Sequence, residues 1–325
     1  MFVWLALRDV DTAEVARAIA GAHWGVLLGL SVPTYALTIW VRALRWRHLT
    51  DPIQRIGTAP LARAVSVGFM ANNVFPLRIG EVVRCWYLAR ETGSSAAAVF
   101  GTVILERVID TLCVMLLVVL VLILRGGGDA ELERGALLLI PIAVLPILFL
   151  VVLRAAPDRV VRWARLSLGF APRLAEFVER MLRRFTEGLG ALRGGRHLAW
   201  IGLHSISLWL ILSVPPIAAA FLALGIDLGS PGRMLQAAWT TQAAIGVAVA
   251  VPSAPGFFGV FHFACRLALA RFGVGADAAI AAGTLIHAVM WVTLTAAGFL
   301  VLRVRRTRLP DVGAASADPG PPPPR

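Results

Sequence analysis

The stretch Ala71–Asp110 reads ANNVFPLRIGEVVRCWYLARETGSSAAAVFGTVILERVID. It sets Arg78, Glu81, Arg84, Glu106, Arg107 and Asp110 inside or between segments apolar enough to lie in a lipid bilayer. An ionisable side chain near the centre of a membrane helix costs roughly 2.5–3.5 kcal/mol on insertion scales, so each of these charges needs a partner or a task. On a helix starting at Ala96, Glu106 and Asp110 stand four apart on one face, and Arg107 and Asp110, three apart, can pair. Two readings are open. In the first, the cluster handles a charged headgroup, with Arg107 taking a phosphate and Glu106 or Asp110 meeting a cationic group, Arg78 or Arg84. In the second, it is a network that locks the preceding hairpin to this helix.

Composition supports a bilayer setting. The 325 residues are 58% hydrophobic with a mean hydropathy of +0.77, and several apolar runs reach the roughly 18 residues that can span the hydrocarbon core. The net charge of +12 comes from arginines in short segments beside apolar runs, where they orient helices, so nucleic acid is not a predicted partner. Cys85, Cys113 and Cys265 lie far apart without CxxC spacing, which supports neither a disulfide framework nor a metal site. HExxH, GxSxG and P-loop signatures are absent, as is a paired acidic motif for Mg²⁺, so no catalytic residue, cofactor or metal is predicted.

Taken in order, MFVWLALRDVD has too few apolar residues before Arg8 for a signal-peptide core or a span and reads as the stub of a longer helix. Asp11–Ala22 reads as a short capped interfacial helix. Trp24–Val41 is the first span, ending at a basic cluster of Arg42, Arg45, Arg47 and Arg55 around Trp46 that should lie at the cytoplasmic surface. Pro60–Pro76 is short and carries Asn72, Asn73 and Pro76, as a half-helix that dips in and turns back would; such a turn must be buried in protein or line a wet passage. Asn72 and Asn73 can cap the broken helix or contact a ligand. Gly80 would permit close approach beside Arg78, Glu81 and Arg84, whose plainer reading is an ordinary helix start.

Ala96–Leu124 is the next span, followed by an outside loop at Arg125–Arg134 and a returning span at Ala136–Leu153. The linker 154–197 is arginine-rich and carries Trp163, Phe177, Met181, Leu182 and Phe185 as an apolar stripe, the pattern of amphipathic helices on anionic headgroups. Leu198–Leu224 crosses despite Pro215 and Pro216. Met234–Phe272 is broken by VPSAPGFFG, Val251–Gly259, and Ala276–Leu302 crosses back to Arg303, Arg305, Arg306 and Arg308. His262 and His287 sit on apolar faces and read as hydrogen-bonded core residues before ligands or proton carriers. Residues 309–325 form a proline-rich disordered tail. The predicted fold is all-α and polytopic, one membrane domain over 1–308. Its halves, 24–124 and 198–302, run in opposite orientation, each with a broken hairpin, a pattern that points to a transporter with its site between the halves.

RALRWRHL (Arg42–Leu49), NNVFPLRIGEVVR (Asn72–Arg84), ERVIDTL (Glu106–Leu112) and PSAPGFFGVFH (Pro252–His262) resemble the lysylphosphatidylglycerol synthase transmembrane, or flippase-like, family from about Trp24 to Arg308. The resemblance implies a bacterial inner-membrane protein that moves or binds a lipid, the lipid being anionic, aminoacylated or polyprenyl-linked. It implies a headgroup site among Asn73, Arg78, Gly80, Glu81, Arg84, Glu106, Arg107 and Asp110, joined from the second half by Pro255, Gly256, Gly259 and His262. Phe258 and His262 depart from it, since many relatives carry glycine and an acid there. With the chain ending soon after Arg308, the expectation is a membrane part without the soluble aminoacyl transferase domain. Alternatives are a membrane enzyme acting on a lipid phosphate and a non-transporting partner of a separate glycosyl- or aminoacyl-transferase.

Overall fold

The computed structural model describes residues 2–75, 79–124, 145, 148, 152, 155–172, 175–176, 178–179, 182–183, 195–250 and 255–306. Arg78, the Arg125–Arg134 loop, most of the Ala136–Leu153 span and the tail 309–325 lie outside the described residues. Within them the structure is helical and contains no strand. The elements are α1 (Phe2–Leu7), α2 (Thr12–Ala20), α3 (Trp24–Thr50), α4 (Thr58–Val74), α5 (Gly80–Thr92), α6 (Ala96–Leu124), α7 (Pro157–Ser167), α8 (Gly195–Ile206), α9 (Val214–Ala223), α10 (Pro231–Ala250), α11 (Val260–Ala270) and α12 (Ala276–Val304).

Among the described residues, four stretches are long and apolar enough to cross a membrane: Trp24–Thr50, Ala98–Leu124, Gly195–Ala223 and Ala276–Val304. They expose the large apolar side chains that a bilayer solvates, among them Leu28, Leu37 and Trp40 on α3, Leu116 and Ile123 on α6, and Phe299 and Leu300 on α12. The third is one long crossing made of α8, a π-helical turn (Ser207–Ile211) and α9. Pro215 and Pro216 have no N–H to give the carbonyls four residues back, and the chain widens there instead of breaking. Leu212 N–H reaches back five residues to the Ser207 carbonyl.

Both predicted hairpins form. α4 ends because Phe75 precedes Pro76 and is extended, with φ −102° and ψ 149°. The chain returns as α5, which packs along α4. Gly68 and Gly80 make this contact possible, since a Cβ on Gly80 would fall 2.1 Å from the Gly68 carbonyl oxygen and 2.5 Å from Asn72 Oδ1. In the second half, a 3-10 turn at Pro255–Phe257 separates α10 from α11, with left-handed backbone at Gly256 (φ 64°), Phe257 (φ 63°) and Gly259 (φ 86°).

The halves interlock reciprocally. α6 packs on α10, the first arm of the second hairpin, and α12 packs on α4, the first arm of the first hairpin, while α3 packs on α9. Both seams close at glycines, as membrane helices require when backbones approach: Gly246 faces Val114, and Gly298 faces Met70. The core falls into two lobes. Trp46, Leu61, Met70, Leu88 and Val103 centre the first, and Phe221, Ala237, Cys265 and Ile286 the second; Tyr35 and Met290 pack against both.

At the chain start, α1 lies on α11: Phe2 meets Phe263 with ring centroids 6.2 Å apart, and Arg266 donates to the carbonyls of Leu5, Ala6 and Arg8. On α7, Val161 packs into the first lobe with Leu182 of the same linker, whereas Trp163, Leu166 and Phe170 stand exposed beside Arg162 and Arg165. The apolar stripe therefore divides. Leu182 faces the protein and Trp163 faces away from it; Phe177, Met181 and Phe185 lie outside the described residues.

Candidate functional site: an arginine–carboxylate network between the helices

α6 supplies the two acids. Glu106 and Asp110 occupy one face of this helix, roughly 15–20 Å along it from Ala96 at 1.5 Å per residue, and both are buried. Three helices deliver guanidinium groups to them. From α3, Arg45 places Nη1 2.6 Å from Asp110 Oδ1 and Nη2 3.0 Å from Glu106 Oε1. From α5, Arg84 grips Glu106 with both terminal nitrogens, at 2.8 and 3.3 Å. On α6 itself, Arg107 bridges the pair, 2.7 Å from Glu106 Oε1 and 2.9 Å from Asp110 Oδ2. Arg42, one turn before Arg45, stands 3.6 Å from Asp110 and 3.9 Å from Glu106, and Glu81 lies 4.0 Å from Arg107.

Neighbours outside the charged set fix its geometry. Trp209 Nε1 donates to Asp110 Oδ1 at 3.0 Å, from the π-helical turn that precedes the two prolines. Arg45 Nη1 donates to Ser205 Oγ at 3.2 Å, while the Ser205 hydroxyl donates to the Ile201 carbonyl. The Arg84 guanidinium lies 4.5 Å from the Trp46 ring centroid, and Trp46 Nε1 is itself held by Thr102 Oγ1 at 2.8 Å. A guanidinium over an indole face is a favourable cation–π contact that keeps Arg84 aimed at Glu106.

Among the described residues, four arginines thus face three carboxylates, an excess of one positive charge. The four are unequal in access: the Arg45 side chain is 0% exposed and Arg84 7%, whereas Arg42 is 16% and Arg107 38% exposed. The Nε atoms of all four are buried with no hydrogen-bond acceptor among the described residues. Arg45 and Arg84 are the frame. Arg42 and Arg107 are the faces a ligand could reach, and a planar guanidinium matches the oxygens of a phosphate or carboxylate.

The predicted residues separate into two groups. Glu81, Arg84, Glu106, Arg107 and Asp110 converge as described. Asn73 instead donates to Thr295 Oγ1 at 2.9 Å, tying α4 to α12, and Asn72 accepts the Gly80 N–H at 2.8 Å, which caps α5. Gly80 serves the helix–helix contact with Gly68. At the second break, His287 Nε2 donates to the Gly256 carbonyl at 2.7 Å and its ring stacks on Phe261 with centroids 4.6 Å apart. His262 stands edge-on to His287 at 5.2 Å. Pro255, Gly256 and Gly259 shape this turn: Gly256 lies against Trp291, and Gly259 against the Val3 backbone. The turn as a whole packs on α4.

One reading is corrected. Arg42 and Arg45, expected in a basic cluster beyond the end of the first span at Val41, lie inside α3, which runs on to Thr50, and Arg45 is fully buried on the acids. Arginines three apart on α3 lie against acids four apart on α6, two stripes of opposite charge that only the packing of the two helices brings together. Ser205 and Trp209 carried no sequence signal, because nothing local marks a serine or tryptophan in an apolar helix as a partner of a distant carboxylate.

Membrane-length helices holding a desolvated arginine–carboxylate network define a polytopic helical membrane protein with a buried polar network between its helices. The chain belongs to the lysylphosphatidylglycerol synthase TM region family, whose model matches residues 1–298. It is also similar to a protein of Haloferax volcanii named glycosyltransferase AglD, 25% identical over 307 residues, which covers 86% of this chain and 49% of the relative. The chain therefore spans about half the length of that relative. No solved structure matches it.

Proposed function

We propose that the protein is a lipid translocator of the flippase-like type, and that the network binds the anionic part of a lipid headgroup. The observation that carries this reading is the surplus positive charge, presented by the two accessible arginines, Arg42 and Arg107, on a frame held by Arg45 and Arg84. A phosphate arriving there neutralises a charge already desolvated, and its desolvation is offset by charge-assisted hydrogen bonds. The headgroup moves between the two interlocked halves while its tails stay in the bilayer. The reciprocal packing of α6 on α10 and α12 on α4 supports an inverted-repeat exchange, in which one half rocks against the other.

The substrate class is an anionic, aminoacylated or polyprenyl-linked lipid in a bacterial inner membrane, with the arginine-rich segments and the C-terminus on the cytoplasmic side. Trp163, Leu166 and Phe170, exposed beside Arg162 and Arg165, suit docking of α7 on anionic headgroups. No catalytic step is assigned. Reconstitution in vesicles with a fluorescent anionic lipid tests the reading: the wild type should accelerate loss of the inner-leaflet signal to an impermeant reductant added outside, and Arg107→Gln should abolish the acceleration. Equal rates for both proteins would overturn it.

A second reading draws on the relative named a glycosyltransferase: the chain is the non-transporting membrane partner of a separate glycosyl- or aminoacyl-transferase. It predicts stable co-purification with such an enzyme and indifference to Glu106→Gln.

A further inference from the structure

A second cluster of polar side chains lies away from the network, where the end of α3 meets the start of α8. His48 and Asp51 come from the C-terminal turn and cap of α3, and His197 from the first turn of α8, nearly 150 positions along the chain. One ligand-type atom from each lies within 4.8 Å of the other two. The rings of His48 and His197 meet edge-on with centroids 5.5 Å apart, and His204, two turns along α8, lies 5.7 Å from His48.

Two buried atoms make this more than an aromatic contact. Nδ1 of His48 and Nδ1 of His197 are both shielded from solvent and have no hydrogen-bond partner among the described residues. Buried polar atoms are ordinarily satisfied, and a pair left over in adjacent rings calls for a shared partner. His204 is prepared differently. Its Nδ1 donates to the Trp200 carbonyl at 2.6 Å, which fixes the tautomer and leaves Nε2 as the lone-pair nitrogen. The plainer alternative is a histidine–tryptophan stack on Trp200, whose ring lies parallel to His48 at 6.3 Å. A stack explains the ring positions but leaves both Nδ1 atoms unpaired.

We propose that His48, Asp51 and His197 form a site for a divalent transition-metal ion of the Zn²⁺ class, with His204 facing the fourth position. Imidazole nitrogens with one carboxylate are the donors such ions take, whereas Mg²⁺ and Ca²⁺ favour all-oxygen sets. Metal–nitrogen bonds of about 2.0–2.1 Å around a tetrahedral ion put ligand atoms roughly 3.3 Å apart, so side-chain rotations that draw the three atoms together complete the geometry. Arg47, beside His48 in the chain, is turned toward Thr58 Oγ1 at 3.5 Å, and Asp51 supplies the compensating negative charge.

Position gives the ion a task. His48 is one turn from Arg45 on α3, and α8 carries Ser205, the acceptor of Arg45, with Trp209 following in the π-helical turn. An ion joining His48 to His197 clamps the two elements that hold Asp110 in place.

The test uses the full-length protein in detergent, without a histidine tag and stripped with chelator. Titration with Co²⁺ should develop the intense visible absorption of a four-coordinate ion at one equivalent, displaced by Zn²⁺, and Zn²⁺ should raise the unfolding temperature. His48→Ala, His197→Ala and Asp51→Asn should each weaken the binding about tenfold or more, while His262→Ala should leave it unchanged. The unfolding temperatures of the variants in chelator establish that each is folded. A wild-type spectrum no different from Co²⁺ in buffer would overturn the proposal, and so would binding that persists unchanged in the folded His48→Ala and His197→Ala proteins.

Discussion

Arg45 on α3 and Asp110 on α6 meet at 2.6 Å, and both are buried, the arginine completely. A pair this desolvated is expensive to assemble and more expensive to break, because removing one partner strands the other charge. Arg45→Met should therefore lower stability by about 3–5 kcal/mol, read as loss of folded protein from detergent extracts or a large drop in unfolding temperature. Adding Asp110→Asn and Glu106→Gln to Arg45→Met should restore part of the loss, since the stranded carboxylates are then neutral. A single variant as stable as the wild type would mean that the network does not hold the fold.

Trp209 tests the contribution of the π-helical turn. Trp209→Phe keeps the ring and removes the Nε1 donor to Asp110, and hydrogen bonds to charged groups contribute about 1.5–3 kcal/mol. The unfolding temperature should fall accordingly. Because the indole also fixes Asp110 beside Arg107, lipid retention should weaken as well. An unchanged melting curve would show that Asp110 is held by the arginines alone.

The hairpin α4–α5 depends on two residues without side chains. Gly80→Ala would drive a Cβ to 2.1 Å from the Gly68 carbonyl and 2.5 Å from Asn72 Oδ1, which only separation of the helices can relieve. Such overpacking costs typically about 1–3 kcal/mol, and here the obstacle is backbone. Separation carries Arg84 away from Glu106, so loss of stability and loss of lipid binding should appear together. Gly93→Ala is the informative contrast. It faces open space and is left-handed, with φ 72°, so its milder strain should leave lipid binding intact.

Asn73→Ala should cost about 1 kcal/mol through the bond to Thr295, with lipid binding retained. If binding is lost while the fold persists, Asn73 contacts the ligand directly, and the two polar groups of the molecule form one site.

Much of the fold was legible because hydropathy and proline placement are local signals. The hairpin break at Pro76 and the turn at Pro255–Gly259 follow from residues whose backbone preferences act in place. The acids at Glu106 and Asp110, and their pairing with Arg107 and Arg84, could be read from charge in an apolar context. Arg42 and Arg45 could not be read in that way, because arginines at the end of an apolar run look the same whether they face headgroups or turn inward onto a neighbouring helix. Only the packing of α3 against α6 distinguishes the two. Asn73 and Gly80 illustrate the converse: residues beside a cluster of charges that serve helix contacts.

The central claim is that the accessible arginines of the network hold a lipid's anionic group. Native mass spectrometry of the protein released from gentle detergent measures this directly, comparing wild type with Arg107→Gln, which keeps Arg45 and Arg84 on the acids. The account predicts one or more anionic lipids bound to the wild type and lost from the variant, with both proteins equally folded. Equal retention of the same lipids by both would contradict it and leave the buried charges as a structural brace.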